Sequence, residues 1–233
     1  MKLDMKIYHQ IVAILLVFTL FNSSVKAQNQ ELVDTTYQHI HYQYRVDFFR
    51  QMPNQKNEIV FLGNGMVEAG KWQELVNKKG VVNRGINEDI TFGILARLDE
   101  VLASKLQKIF FLCGVNDINK NIPHEKIVSN FKKIIQQVQT QSPKTKLYIQ
   151  SVLPVNEKML GASFSKINNE KIQALNKQLA QLSKESKLVY INLHPIFSDE
   201  NGSLKKEFTN DGLNLLQPAY IVWANYLKQL KAL

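Results

Sequence analysis

The chain has 233 residues, 45% hydrophobic and 21% charged, which is too apolar for a disordered chain and suits one domain in length. Its 10 glycines and 6 prolines exclude collagen-like and low-complexity architectures, and the single cysteine, Cys113, excludes an intramolecular disulfide. The formal net charge of +9 raises the question of a nucleic-acid partner.

The first residues read as a targeting segment rather than as part of the fold. Lys2 and Lys6 precede an apolar run, Ile11 to Phe21, broken only by Thr19. Asn22-Ser23-Ser24 and then Val25-Lys26-Ala27 follow, the layout of a secretory signal peptide cleaved after Ala27. The run is too short to span a bilayer, which takes about 20 residues, and no later segment is long and apolar enough to do so. The expected mature domain is 28–233, secreted or periplasmic. Cleavage removes three lysines and one aspartate and leaves +7. The remaining lysines are scattered along amphipathic stretches as solvated helix faces are, so no nucleic-acid partner is expected.

Tyr37 to Gln51 is aromatic with helical spacing and ends before Pro53, which predicts a leading helix. Short apolar runs then alternate with amphipathic segments. The runs are Ile59–Leu62, Val81–Val82, Ile109–Leu112, Leu147–Ile149 and Leu188–Leu193. They are continuous rather than alternating, as in strands buried on both faces. Between them, Ile94, Leu98 and Val101 are spaced for one helix face. Ile127, Phe131, Ile134 and Val138 mark a second, and Ile172, Leu175, Leu179 and Leu182 a third. Pro218 to Leu230 closes the chain as a last helix. The alternation predicts an α/β fold: a parallel sheet of about five strands between two helical layers, a three-layer α/β/α sandwich.

Ligands of such sheets bind beyond the C-terminal ends of the strands. The segments there are Gly63-Asn64-Gly65-Met66, Asn83-Arg84-Gly85-Ile86 and Gly114-Val115-Asn116-Asp117. Asp211-Gly212-Leu213-Asn214 comes before the last helix. In order and position these four segments resemble the conserved blocks of the SGNH or GDSL hydrolases, in the acetylesterase and acetylhydrolase branch. Phe61 to Glu68 aligns with that branch's first block, Gly85 with its second, Gly114-Val115-Asn116-Asp117 with its third and Asp211 to Asn214 with its last.

The resemblance implies a flavodoxin-like fold and acyl transfer: a serine attacks the ester, a histidine takes its proton, and an aspartate three residues earlier orients that histidine. It also implies an oxyanion hole made by the backbone N–H of the nucleophile residue, the N–H of Gly85 and the side chain of Asn116. Two decisive positions depart from the pattern. Gly65 stands where the family has its serine and Asn214 where it has its histidine, while Asp211 is kept. Glycine offers no nucleophile, and asparagine does not titrate as a base. The expectation is a pseudo-hydrolase that binds a small acylated ligand, such as an O-acetylated carbohydrate, with Asn64, Glu68 and Ser151 as further candidates to line the cleft.

Two other readings stand beside it. Glu68 and Asp211 could activate water directly, giving a working esterase without a covalent intermediate. Alternatively the cleft is vestigial and an outer surface binds a partner. His194 is a possible substitute base, but in the family's strand order it follows a strand three neighbours from the first, roughly 14 Å at about 4.8 Å per step. His39, His41 and His124 have no counterpart in the family. Trp72 and Trp223 are expected to pack in the core, and Cys113 to be a small buried hydrophobe. No Cys or His spacing fits a metal site, no glycine-rich phosphate loop is present, and no cofactor is expected.

Overall fold

Five parallel strands run in the order β2-β1-β3-β4-β5. The structure, a computed structural model, describes residues 33–233. The expected signal peptide lies outside the described residues. The strands are β1 (Lys56–Gly63), β2 (Val81–Gly85), β3 (Lys105–Leu112), β4 (Lys146–Gln150) and β5 (Val189–Ile191). The first four contain the apolar runs. The fifth is shorter than its run, because Leu193 and His194 already turn into a short helix, and Val189 on this edge strand is exposed.

The leading helix α1 spans Ile40–Gln51. It starts three residues later than the pattern suggests, because the His39 side chain accepts the Tyr42 N–H and acts as the N-cap. Two short helices follow β1: α2 (Gly65–Glu68) and α3 (Trp72–Val76). The Ile94–Val101 periodicity is split into α4 (Thr91–Ala96) and α5 (Leu98–Leu102), with Arg97 between them out of helical conformation. After β3 come α6 (Val115–Asn119) and the long α7 (His124–Gln141), which buries Ile127, Phe131, Ile134 and Val138 as the spacing predicts. α8 (Asn169–Glu185) is capped by the Asn168 side chain on Lys171 N–H and buries Ile172, Leu175, Leu179 and Leu182. α9 (His194–Phe197) and α10 (Gln217–Gln229) complete the order.

Successive strand residues face opposite sides, and the core shows it directly. Phe61 and Phe110 are register partners on neighbouring strands. A stack runs from Trp72 of α3 through Phe61 and Phe110 to Tyr148, with ring centroids 3.9, 5.0 and 4.8 Å apart. Trp223 and Tyr220 of α10 pack edge-on against Trp72. One residue along, Phe111 points to the other face and meets Phe131 of α7. Both tryptophans are fully buried, so both are core residues, and their indole N–H groups are satisfied by Val67 O and Gln150 Oε1 at 2.8 Å. Cys113 is buried at the end of β3, where burial pushes its thiol up, as expected of an inert core cysteine.

Candidate active-site cleft

The C-terminal ends of β1, β2 and β3 lie side by side, and the segments that leave them enclose a cavity of about 470 Å³. Asn64, Gly65, Asn116 and Asn214 line it together, so four of the residues singled out from sequence converge on one site. The loop after the fourth strand contributes Ser163 and Phe164, on a single turn of 3-10 helix at Ala162–Phe164. Asn87, Glu88, Asn119 and Lys120 complete the polar lining.

Each of these residues is held by identifiable bonds. Asn64 is the N-cap of α2: its Oδ1 accepts the Met66 N–H at 3.2 Å, and its backbone carbonyl accepts from Val67 and Glu68. This leaves Gly65 as the first helical residue, and its N–H has no partner among the described residues. Asn116 is fixed by one amide hydrogen donated to Asp89 O at 3.0 Å, which leaves the second for the cleft. Asp211 organises the loop before α10. Its Oδ1 accepts the N–H groups of Leu213 at 2.9 Å and Asn214 at 2.7 Å, and its Oδ2 accepts from Asn214 Nδ2 at 2.7 Å. Partial burial works to raise the Asp211 carboxyl, but these bonds outweigh it and hold the group below the usual carboxylate range. The aspartate thus orients residue 214 as it would orient a histidine, but the oriented group is an amide.

Gly85 does not take the expected role. Its N–H is donated to Asn83 Oδ1 at 2.8 Å, and it does not line the cavity. A glycine is required there for another reason. A Cβ on residue 85 would run into the backbone of Val67 and Glu68, so the absent side chain lets α2 lie directly on the end of β2. Asn83 completes this junction, donating from Nδ2 to the carbonyls of Val67, Glu68 and Gly70 at 2.9–3.0 Å. Of the three donors that the resemblance implies, Gly65 N–H and the second hydrogen of Asn116 Nδ2 therefore remain open to the cleft.

Glu68 and Ser151 also lie elsewhere. Glu68 faces α1, where its carboxylate meets His41 at 3.0 Å and Arg45 at 3.2 Å and accepts the Asn87 N–H at 2.5 Å. It braces the loop after β2 from behind. Ser151 is buried and its Oγ accepts from Leu193 N and His194 N at 2.8 and 3.1 Å, tying β4 to the turn after β5. His194 lines a separate shallow groove with Tyr190 and Asn192, bonds Ser198 through Nδ1 at 2.9 Å, and is lowered by burial. The carboxylate pair proposed for water activation is therefore not assembled: Asp211 is committed to Asn214, and Glu68 is outside the cavity.

Among the lining residues that the sequence did not single out are Asn87 and Glu88. They follow Gly85 by two and three positions, and Glu88 adopts a left-handed backbone with φ 60°. That turn swings both residues into the cleft. Asn87 Oδ1 lies well inside van der Waals distance of the point where a Cβ on residue 65 would stand. The space beside Gly65 is thus taken up by an amide from the neighbouring loop. Behind this loop Arg97, fully buried, bonds Asp89 at 2.9 Å, Arg84 O at 2.8 Å and Gly63 O at 3.3 Å, and pairs with Glu100 at 3.2 Å. The same guanidinium explains the break between α4 and α5: residue 97 turns inward instead of continuing the helix.

An α/β/α sandwich with free N–H donors at the strand ends and an aspartate-held residue before the last helix is the framework of a hydrolase of the GDSL type. The model of the GDSL-like Lipase/Acylhydrolase family matches residues 63–220, and the chain belongs to that family. A solved structure from Streptococcus pneumonia, described under the name platelet activating factor, is similar at 31% identity and TM-score 0.75 over 93% of this chain and 98% of that one. A GDSL-like lipase from Bacteroides thetaiotaomicron shares the fold at 22% identity and TM-score 0.71, over 82% of this chain and 98% of that one. Among curated proteins, the human platelet-activating factor acetylhydrolase IB subunit alpha2 is 24% identical over 115 residues, 48% of this chain and 50% of the relative. The chain thus spans about half the length of that relative. The bovine alpha1 subunit is 22% identical over 177 residues, 74% of each chain.

Proposed function

We propose that this protein is an exported pseudo-hydrolase, which holds an acylated ligand in the family cleft without turning it over. The observation that carries the reading is the pairing of Gly65 with Asn214 in one cavity. Neither the nucleophile nor the base is present, and both positions line the same space as the retained oxyanion donors. Asn87 beside Gly65 and the Asp211–Asn214 bond support it, because both fill catalytic positions with neutral amides. The oxyanion donors suit a carbonyl oxygen, and the amide-lined cavity with the Phe164 ring suits a small polar acyl compound such as an O-acetylated sugar. The acetylhydrolase name of the curated relatives points to the same short acyl group. Export rests on the N-terminal segment.

The test is hydrolysis of 4-nitrophenyl acetate by the purified protein, with an active-serine probe alongside. The expected result is no labelling and no turnover above an Asn116→Ala control. Turnover clearly above that control would make the protein an enzyme and end the reading. Ligand binding is checked separately by the thermal shift that O-acetylated sugars produce.

A further inference from the structure

We propose that the end of the sheet opposite the cleft is a docking face for an anionic lipid bilayer, whatever the cleft holds. Along the sequence the lysines look scattered. A parallel sheet, however, brings all its strand starts to one end, and lysines stand at those starts. Lys56 opens β1 and Lys105 opens β3, and the two are register partners. Lys108 of β3 and Lys146, which opens β4, are partners too. Lys187 lies two residues before Val189, as Lys146 lies two before Tyr148, the register partner of Val189. On the other side Lys79 lies two residues before β2. The row crosses all five strands, roughly 19 Å at about 4.8 Å per step.

Like charges side by side at strand spacing repel, and this sheet holds two such pairs. Apart from the partly buried Lys108, these lysines are exposed. Burial, and after it the neighbouring charges of Lys78 and Lys146, hold the Lys108 ammonium below its ordinary value. Its Nζ donates to Ala232 O, a neutral carbonyl. Among the described residues none of these ammonium groups pairs with a carboxylate. Two glutamates at this end are spent within the chain: Glu58 is buried and accepts the Gln55 N–H, and Glu185 accepts from Gln181. The positive charge is left for a partner outside the chain.

The kind of anion follows from what accompanies the lysines. A lysine is a point charge on a flexible stem and reads charge density, not the fixed geometry of one phosphate. Leu230, the C-cap of α10, is exposed between Lys228 and Lys231. The Lys108–Ala232 bond places this C-terminal turn at the start of β3, beside the lysine row. An apolar side chain among cations gains from a bilayer, which takes up both, and gains nothing from a soluble polyanion such as a nucleic acid. Docked by this end, the protein holds its cleft one strand length away, roughly 25 Å from the headgroups, and open to the medium.

The experiment uses the exported form, residues 28–233, which contains every described residue, and vesicles of phosphatidylcholine with or without about 30% phosphatidylglycerol. Binding is measured by co-sedimentation. The expected result is roughly tenfold or more tighter binding to the anionic vesicles, abolished in about 0.5 M salt. Lys56→Gln, Lys105→Gln, Lys146→Gln and Lys187→Gln together should weaken that binding by about tenfold or more. A control of the same net charge carries Lys126→Gln, Lys132→Gln, Lys133→Gln and Lys177→Gln on α7 and α8, and should stay within about twofold of the parent. Thermal melting checks that both are folded. If the first melts early, Lys105→Gln with Lys146→Gln is read against Lys132→Gln with Lys133→Gln in the same way. Leu230→Ser should weaken vesicle binding about threefold and leave binding to a duplex oligonucleotide unchanged. Equal binding to both vesicle types overturns the proposal, as does an equal loss in the face and control variants. Tighter binding of the oligonucleotide than of the anionic vesicles, or a Leu230→Ser variant that binds vesicles as the parent does, overturns the lipid assignment in favour of a soluble polyanion.

Discussion

The Asn87 carboxamide oxygen stands where a side chain at residue 65 would begin. Gly65 is the first residue of a short helix with ordinary helical backbone, so a serine is sterically acceptable to the main chain there and is opposed only by Asn87.

Restoring the family pattern at two positions is therefore predicted to fail. Gly65→Ser with Asn214→His should remain within about tenfold of the parent on 4-nitrophenyl acetate, while adding Asn87→Gly should raise the rate by at least 10². Initial rates at pH 8 measure both. Full activity in the double variant would show that Asn87 yields freely and does not occupy the nucleophile's place.

Asn83 is the second target. Its side chain donates to three carbonyls at the end of α2 and accepts the Gly85 N–H. Asn83→Ala should cost about 2–4 kcal/mol in urea unfolding, because several half-buried backbone groups lose their partner together. A loss under 1 kcal/mol would mean that water replaces the amide at this junction.

Arg97 carries the buried charges behind the site. Arg97→Met leaves Asp89 uncompensated and Glu100 with Arg84 alone, and should cost about 3–5 kcal/mol. Arg97→Lys should recover less than half of that, since an ammonium cannot span Asp89, Glu100 and two strand-end carbonyls at once. Chemical denaturation of both variants measures the difference.

Asp117 predicts a pH dependence. It is completely buried, and desolvation pushes it up to about 6 despite bonds from Thr91 N and Oγ1. Its folded value lies above its unfolded value of about 3.9. The folded state then holds the proton more tightly, so this contribution is fully present below about pH 4 and is lost as pH rises through 6. Asp117→Asn should remove it. Relative to the parent, the variant should gain about 2 kcal/mol between pH 4 and pH 7 in urea unfolding. Asp89, pushed up to about 7 chiefly by burial, is also raised by the neighbouring Asp117 charge, so it titrates lower in the variant and changes the pH dependence in the same direction. A variant whose stability tracks the parent across that range would refute the assignment.

The fold was largely legible because it rests on continuous apolar runs and single helix faces. Ile59–Leu62 and Ile109–Leu112 became central strands for the reason their composition suggests: both faces are covered. Periodicity misled where a charged side chain overrode it. Ile94, Leu98 and Val101 share a spacing, but Arg97 between them turns inward to Asp89 and breaks the helix. Around the cleft, Gly65, Asn116, Asp211 and Asn214 could be singled out because each lies in a recognisable segment. Gly85 was found too, but whether its N–H faces ligand or Asn83 depends on a bond that spacing does not encode. Asn87 and Glu88 carried no motif at all. Their place in the cleft comes from one left-handed residue, which a glutamate in a loop does not announce.

The Asn83 junction has a wider consequence. The bonds that shape the cleft start from Asn83, Arg97 and Asp211, and none of them requires a serine at residue 65 or a histidine at residue 214. Reactivity and architecture are therefore separable in this molecule. A lineage carrying such a scaffold is free to abandon or regain chemistry by exchanging a few residues at the strand ends, with the surrounding fold indifferent to the direction of change.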